Sequence, residues 1–164
     1  MLQAEIDQFH RDGFMALPKL ADAPTVAALR AVYDSMLSGE IDVSATDQPL
    51  GRITRQIMMP SAYHPLFREN PALAAGREIA CDLLGVADPQ PIFDMLIYKE
   101  PGQTAITPWH QDFAYSQMPF APAGVEVPSD RTLQFWLALD DVDEANGCMH
   151  FIPGQHRRPL LGHY

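Results

Sequence analysis

The segment from Thr107 to Phe113 holds the residues whose types and spacing are best suited to chemistry. His110 and Asp112 stand two positions apart. In an extended strand, residues i and i+2 point to the same face, so the imidazole and the carboxylate would converge. Together with a second histidine from elsewhere, such a pair forms a 2-His-1-carboxylate triad, which holds Fe(II) and leaves positions open for a 2-oxoacid and O₂. The spacing therefore makes this segment a candidate iron site.

An H-x-D pattern taken alone has little specificity. It occurs by chance in many proteins, and a surface histidine beside a surface acid is the alternative interpretation. The neighbouring sequence has to decide between the two.

The first half of the chain has the spacing of helices. Apolar residues predict a helix from Gln3 to Arg11, ended by Gly13. A second helix is predicted between an Asp22 N-cap and Gly39, and a third between an Asn70 cap and Gly85.

The second half has the composition of short strands. Strands are predicted at 91–99, 132–140 and 148–152, and a further short one at 14–17. The proline-rich residues 117–130 predict a long surface loop, which we expect to contact substrate. Helices followed by strands predict helices packed outside a β-sandwich or jelly roll.

Composition excludes several classes of function. The 164 residues are 47% hydrophobic and 20% charged, as in an ordinary globular domain. A formal net charge of −10 argues against nucleic acid as a partner. No apolar run approaches the length of a membrane helix, and the N-terminus lacks the pattern of a signal peptide. The two cysteines, Cys81 and Cys148, are expected to be thiols, with a disulfide left open. We therefore expect a cytoplasmic protein.

Three motifs, read in order, carry a family resemblance. MLIYKEPG, TPWHQDFAY and LQFWLALDDVDEANGCMHFIPGQHR follow one another along the chain. Together they resemble the phytanoyl-CoA dioxygenase family of Fe(II)/2-oxoglutarate-dependent oxygenases. The resemblance implies a mainly β fold with flanking N-terminal helices, a cupin-like double-stranded β-helix (jelly roll) that is incomplete at its C-terminus. One domain would span 1–164, with a helical part at 1–85 and the first part of the jelly roll at 86–164.

The resemblance also implies roles for single residues. His110 and Asp112 match the first two iron ligands, and Gln111 matches a residue that approaches the oxoacid. Met95 and Trp136 match positions that line the 2-oxoglutarate pocket. Arg55 matches a basic residue near the carboxylate of that cosubstrate. As alternatives, Met95 and Trp136 could be core residues, Gln111 could cap a turn, and Arg55 could be structural.

The third iron ligand has no counterpart in the motifs. The family's second histidine and its oxoglutarate-pairing arginine come from a later strand, and His150, His156 and His163 do not match them. We therefore expect the sequence to be the N-terminal part of a longer oxygenase.

The implied activity is hydroxylation of a small or acyl-type organic substrate, with Fe(II) as cofactor and 2-oxoglutarate and O₂ as cosubstrates. Two alternatives remain. One is a catalytically inactive jelly-roll module that binds a small molecule, and the other is a cupin-like metalloenzyme that works without oxoglutarate, such as an isomerase. The substrate and the oligomeric state do not follow from the sequence.

Overall fold

A computed structural model describes residues 1–50, 54–102, 106–112 and 132–161. The chain divides into two compact units. We call the first the sheet unit (Ala21–Ala75 and Pro91–Ile106) and the second the terminal unit (Met1–Leu20, Gly76–Gln90 and Thr107–Tyr164). The predicted loop at 117–130 lies outside the described residues.

Three α-helices lie close to their predicted positions. They are α1 (Gln3–Asp12), α2 (Ala23–Ser38) and α3 (Pro71–Leu84). The Asp22 carboxylate accepts the Thr25 backbone N–H at 2.9 Å, and the Asn70 side chain accepts the Leu73 N–H at 2.9 Å. Both predicted N-caps are therefore confirmed, because each satisfies a backbone donor that the first helical turn leaves unpaired.

The sheet unit contains an antiparallel sheet of three strands in the order β1 (Asp47–Leu50), β2 (Thr54–Met58) and β3 (Met95–Lys99). The register pairs Arg55 with Tyr98 and Met58 with Met95. Sequence patterns predicted β3 but missed β1 and β2, which are short and rich in polar residues.

The core of the sheet unit lies between α2 and the sheet. It is made of buried apolar side chains from α2, the following loop and the strands: Leu29, Tyr33, Met36, Val43, Ile57, Met58 and Leu96. Each such side chain contributes roughly 1.5–3 kcal/mol when fully buried, so this core is the main stabilising feature of the unit.

The terminal unit contains α1, the later part of α3 and a 3₁₀ turn at Gln155–Arg157. Ala80 and Leu83 of α3 are buried, and the Phe135 ring packs against Gly76 of the same helix. Many large apolar side chains between Trp109 and Leu161 are exposed instead.

Three strand predictions were wrong. Residues 14–17, 132–140 and 148–152 have no strand structure. A strand requires a hydrogen-bonded ladder to a neighbour, whereas Phe14 and Phe151 meet through stacked rings with centroids 4.7 Å apart. The composition of these residues is typical of strands, but it could not supply the pairing. None of the helices in the described part of the chain has the length and apolar character needed to cross a membrane.

Candidate metal site

His110 and Asp112 lie side by side in the terminal unit. The His110 Nε2 atom is 3.1 Å from the Asp112 Oδ1 atom. The segment 106–111 is not a strand, so the strand argument for their convergence was wrong in its premise. The convergence itself is present, and it arises from irregular backbone around Pro108.

A second hydrogen bond fixes the orientation of the His110 ring. Its Nδ1 atom is 2.7 Å from the Pro108 carbonyl oxygen. A carbonyl oxygen can only accept, so Nδ1 donates this bond and Nε2 is the ring nitrogen that faces Asp112. Metal-binding histidines characteristically donate their other ring N–H to such a carbonyl or carboxylate.

The separation of the two atoms suits one metal ion. A lone pair on Nε2 and a carboxylate oxygen 3.1 Å away repel each other unless a proton or a cation lies between them. Divalent metals bind nitrogen and oxygen at about 2.1 Å, and adjacent octahedral positions subtend a right angle, which gives a ligand separation of about 3.0 Å. His110 and Asp112 therefore fit two neighbouring positions on an octahedral ion such as Fe(II).

The pair is only partly shielded from water. The side chains of His110 and Asp112 are 28% and 54% exposed. No group of three or more His, Cys, Asp or Glu side chains placed to hold a metal occurs among the described residues. Within that part of the chain, the candidate site therefore consists of two side chains, His110 and Asp112.

Gln111 points its amide at the end of the described chain. Its Oε1 atom accepts the Leu161 backbone N–H at 2.8 Å, and its Nε2 atom donates to the Pro159 carbonyl at 3.4 Å. The amide thus forms hydrogen bonds with a donor, the Leu161 N–H, and with an acceptor, the Pro159 carbonyl, of one backbone segment. Gln111 thus holds residues 159–161 beside the segment 106–112, which we call the His110 segment. The sequence did not indicate this contact.

The predicted walls of the cosubstrate pocket lie in different units. Met95 begins β3 in the sheet unit and is half-buried, whereas Trp136 of the terminal unit is 47% exposed. Trp136 therefore lies at the surface of the described chain rather than in a core.

Arg55 is engaged within the sheet unit. Its Nε atom donates to the Asp47 carboxylate at 2.7 Å, and its NH1 group donates to the Leu37 carbonyl at 3.1 Å. The hydrogen bond with Asp47 raises the pKa of Arg55 above its usual value. The side chain also lines a cleft of about 190 Å³ together with Met36, Gly39 and neighbouring residues. Arg55 thus ties β2 to β1 and to the end of α2, and it borders open space.

His156, near the end of the described chain, has another partner, whereas His163 lies outside the described residues. The His156 Nε2 atom is 3.2 Å from the His10 carbonyl, which accepts its N–H. The Arg157 guanidinium donates to the same carbonyl, and the Gly154 N–H donates to the Asp12 carbonyl at 2.8 Å. These three donors satisfy carbonyls that the last turn of α1 leaves unpaired. We call these three hydrogen-bond donors the α1 cap.

The α1 cap explains the PGQHR sequence in structural terms. Gly13 has φ +85°, and a Cβ atom there would lie 2.1 Å from the His156 Nδ1 atom. From its sequence context, Gly13 is predicted only to end α1. The sequence predicts the turn at Pro153-Gly154, but not the hydrogen bond of Gly154 to Asp12, which lies 142 residues earlier.

Comparison with known proteins identifies the class. The family model for phytanoyl-CoA dioxygenase (PhyH) matches residues 9–161. The chain belongs to this family of dioxygenases, as its motifs predicted, and the family's cupin-like fold is consistent with the observed helices and antiparallel sheet.

Particular relatives carry dioxygenase names. The chain is 33% identical over 129 residues to phytanoyl-CoA dioxygenase domain-containing protein 1 of Danio rerio, covering 77% of this chain and 38% of the relative. It is 25% identical to the peroxisomal phytanoyl-CoA dioxygenase of Rattus norvegicus, covering 94% and 47%. It is 27% identical to ectoine dioxygenase of Bordetella parapertussis, covering 94% and 49%. The chain thus spans less than half the length of these relatives. No solved structure gives a significant match.

Proposed function

We propose that this chain forms part of an Fe(II)- and 2-oxoglutarate-dependent dioxygenase that hydroxylates a small or acyl-type organic substrate. The observation that carries the proposal is the His110–Asp112 pair, whose 3.1 Å separation and fixed imidazole tautomer suit one octahedral ion. Membership of a dioxygenase family supports the same reaction class.

The metal would be held by His110 Nε2 and Asp112 Oδ1. When bound, Fe(II) with 2-oxoglutarate and O₂ supplies the oxidising power for hydroxylation, and the oxoglutarate leaves as succinate and CO₂. The bond from Nδ1–H to Pro108 keeps the His110 ring in the ligating tautomer and orientation. The protein would thus contribute to catalysis by positioning the metal ligands before the substrate binds.

The cosubstrate contacts in the proposal are Met95, Gln111, Trp136 and Arg55. In the proposal, Met95 and Trp136 supply apolar contacts to the cosubstrate, and the Arg55 guanidinium pairs with its carboxylate. Met95 and Arg55 belong to the sheet unit and the other two residues to the terminal unit. We also propose a single domain over 1–164 and a cytoplasmic location.

An anaerobic titration with Fe(II) and 2-oxoglutarate tests the proposal. Chelation of the oxoacid to Fe(II) gives a visible charge-transfer absorption, and we expect the full chain to develop it. His110→Ala should abolish the absorption. The exposed His10→Ala should leave it unchanged, because only the backbone carbonyl of His10 is used in the α1 cap.

The possible outcomes separate the candidate functions. Absorption in the wild type that is lost in His110→Ala supports the proposal, and oxoglutarate-dependent succinate formation in air extends it to turnover. Fe(II) binding without the absorption would assign the chain to metalloenzymes that do not use oxoglutarate. No Fe(II) binding would contradict the proposal.

A catalytically inactive binding module is the second candidate. The 54% exposure of the Asp112 side chain favours it, because an oxygenase has to keep bulk water away from its metal. Such a module would bind a small molecule equally well before and after His110→Ala.

A further inference from the structure

A second pair of metal-ligating side chains lies outside the site described above. Cys148 and His150 are two residues apart, and the Cys148 Sγ atom is 3.6 Å from the His150 Nε2 atom. Cys148 is a free, half-buried thiol, and His150 is exposed. Both side chains are therefore accessible to an ion from solution.

The separation of these two atoms matches the ligands of a tetrahedral ion. Zn(II) binds thiolate sulfur at about 2.3 Å and imidazole nitrogen at about 2.05 Å, and the tetrahedral angle then places the two atoms about 3.6 Å apart. A hydrogen-bonded thiol and imidazole are already at that distance. The ion could enter by replacing the thiol proton, with no movement of the backbone.

The donor types select the class of metal. Thiolate is a soft ligand that favours Zn(II) and similar ions, whereas Fe(II) in oxygenases is held by imidazole and carboxylate. We propose that Cys148 and His150 form a separate site for a thiophilic divalent metal, with Zn(II) as the physiological class of ion. Water fills the remaining positions, so the affinity is lower than that of a structural four-ligand zinc site.

Trp109 connects this pair to the His110 segment. Its ring meets the His150 ring edge to face, with centroids 6.4 Å apart. Trp109 also directly precedes His110 in the chain. Occupation of the Cys148–His150 pair therefore changes the surroundings of a fluorophore that neighbours the proposed iron ligand.

Titration of the full chain with Zn(II), and separately with Co(II), tests the proposal. We expect saturable quenching or shift of tryptophan fluorescence with Zn(II), and a thiolate-to-cobalt charge-transfer band with Co(II). Cys148→Ser and His150→Ala should each weaken binding by about tenfold or more, since loss of even an outer-shell partner costs about 10–100-fold. Trp109→Phe should remove the fluorescence response while retaining the cobalt band.

Cys81→Ser is the matched control, because Cys81 is also a half-buried free thiol but its Sγ donates to the Ala87 carbonyl. It should bind Co(II) like the wild type. His110→Ala should also retain the cobalt band, which separates this site from the proposed iron site. Equal binding by wild type and Cys148→Ser, or loss of binding in Cys81→Ser, would overturn the assignment.

Alkylation gives a readout that needs no variant. Zn(II) should protect Cys148 from iodoacetamide by about tenfold in rate while Cys81 reacts as before, as followed by peptide mass spectrometry. Protection of both thiols, or of neither, would contradict a site at Cys148 and His150.

Discussion

The two proposed ligand pairs of the terminal unit share a spacing and differ in their atoms. His110 with Asp112 and Cys148 with His150 each occupy positions i and i+2, and neither pair lies on a strand. The first pair offers nitrogen and oxygen 3.1 Å apart, and the second offers sulfur and nitrogen 3.6 Å apart. The difference of 0.5 Å between these separations follows the change from right-angled octahedral to tetrahedral coordination. Sequence spacing brings two side chains together, but the donor atoms and their separation decide which metal fits.

The largest expected effect is the loss of Fe(II) from His110→Ala. Removing one of two assigned ligands should weaken Fe(II) binding about a hundredfold or more, because even outer-shell changes cost about 10–100-fold. Isothermal titration under anaerobic conditions measures this. Cys148→Ser should bind Fe(II) like the wild type. Equal losses in both variants would show that the two pairs are not independent.

Gly13→Ala should destabilise the α1 cap, because the added Cβ atom would meet the His156 ring. The left-handed backbone at φ +85° costs about 1 kcal/mol with a side chain, and displacement of His156 loses a hydrogen bond of about 1 kcal/mol. We expect a loss of about 2 kcal/mol in denaturant unfolding. The matched control is Gly39→Ala, which has φ +83° and no atom within 4 Å of the added Cβ, and should lose about 1 kcal/mol.

The His156 share of that loss can be isolated. In a His156→Ala background, Gly13→Ala should cost no more than Gly39→Ala does. A remaining excess would mean that backbone, and not His156, crowds Gly13.

Exchange of donor type at the first pair sharpens the comparison. Asp112→Cys replaces a hard ligand with a soft one, so the preference for Zn(II) over Fe(II) should rise by about tenfold. Co(II) is bound first, and its displacement by Zn(II) or by Fe(II) is followed through the thiolate-to-cobalt band at the new position. The two displacement curves give the preference between the ions. The background should be Cys148→Ser so that only one thiolate–imidazole pair remains. An unchanged preference would refute the role of donor softness.

The smallest effect concerns a carboxylate held by neutral donors. In the sheet unit, Asp94 accepts the Ser61 N–H at 3.0 Å and the Ser61 hydroxyl at 2.8 Å. Burial raises the pKa of Asp94 despite these bonds, which act to lower it. The folded state thus holds the proton more tightly than the unfolded state. The free energy of unfolding therefore falls as pH rises from about 3.9 through the folded-state pKa.

Asp94→Asn should remove this part of the pH dependence. Urea unfolding at a series of pH values should give a flatter profile for the variant over that window, with a change of less than about 1 kcal/mol. An identical pH slope in the two proteins would contradict the raised pKa. Asp94 shows how a carboxylate behaves without an imidazole or a thiolate beside it.

The sequence predicted what depends on neighbouring residues. The Asp22 and Asn70 caps and the helix stops at Gly13 and Gly39 were confirmed, because capping is a matter of a few consecutive residues. The closeness of His110 and Asp112 was also predicted, although it arises from irregular chain. The family was recognised from motif order.

The same local patterns could not predict which distant segments of the chain would be paired. Residues 132–140 and 148–152 have strand composition, but a strand exists only when another segment supplies its ladder. The bonds from Gln111 to 159–161 and from Ser61 to Asp94 join positions 48, 50 and 33 residues apart. Nothing in the local composition around either partner indicates the other.

The α1 cap also has a consequence for synthesis on the ribosome. His156 lies 146 residues after the His10 carbonyl that it binds. At about 5–20 residues per second, the last turn of α1 waits on the order of ten seconds for these donors to be made. During that interval, water or a chaperone has to satisfy its carbonyls, so α1 is synthesised well before the donors that complete its last turn.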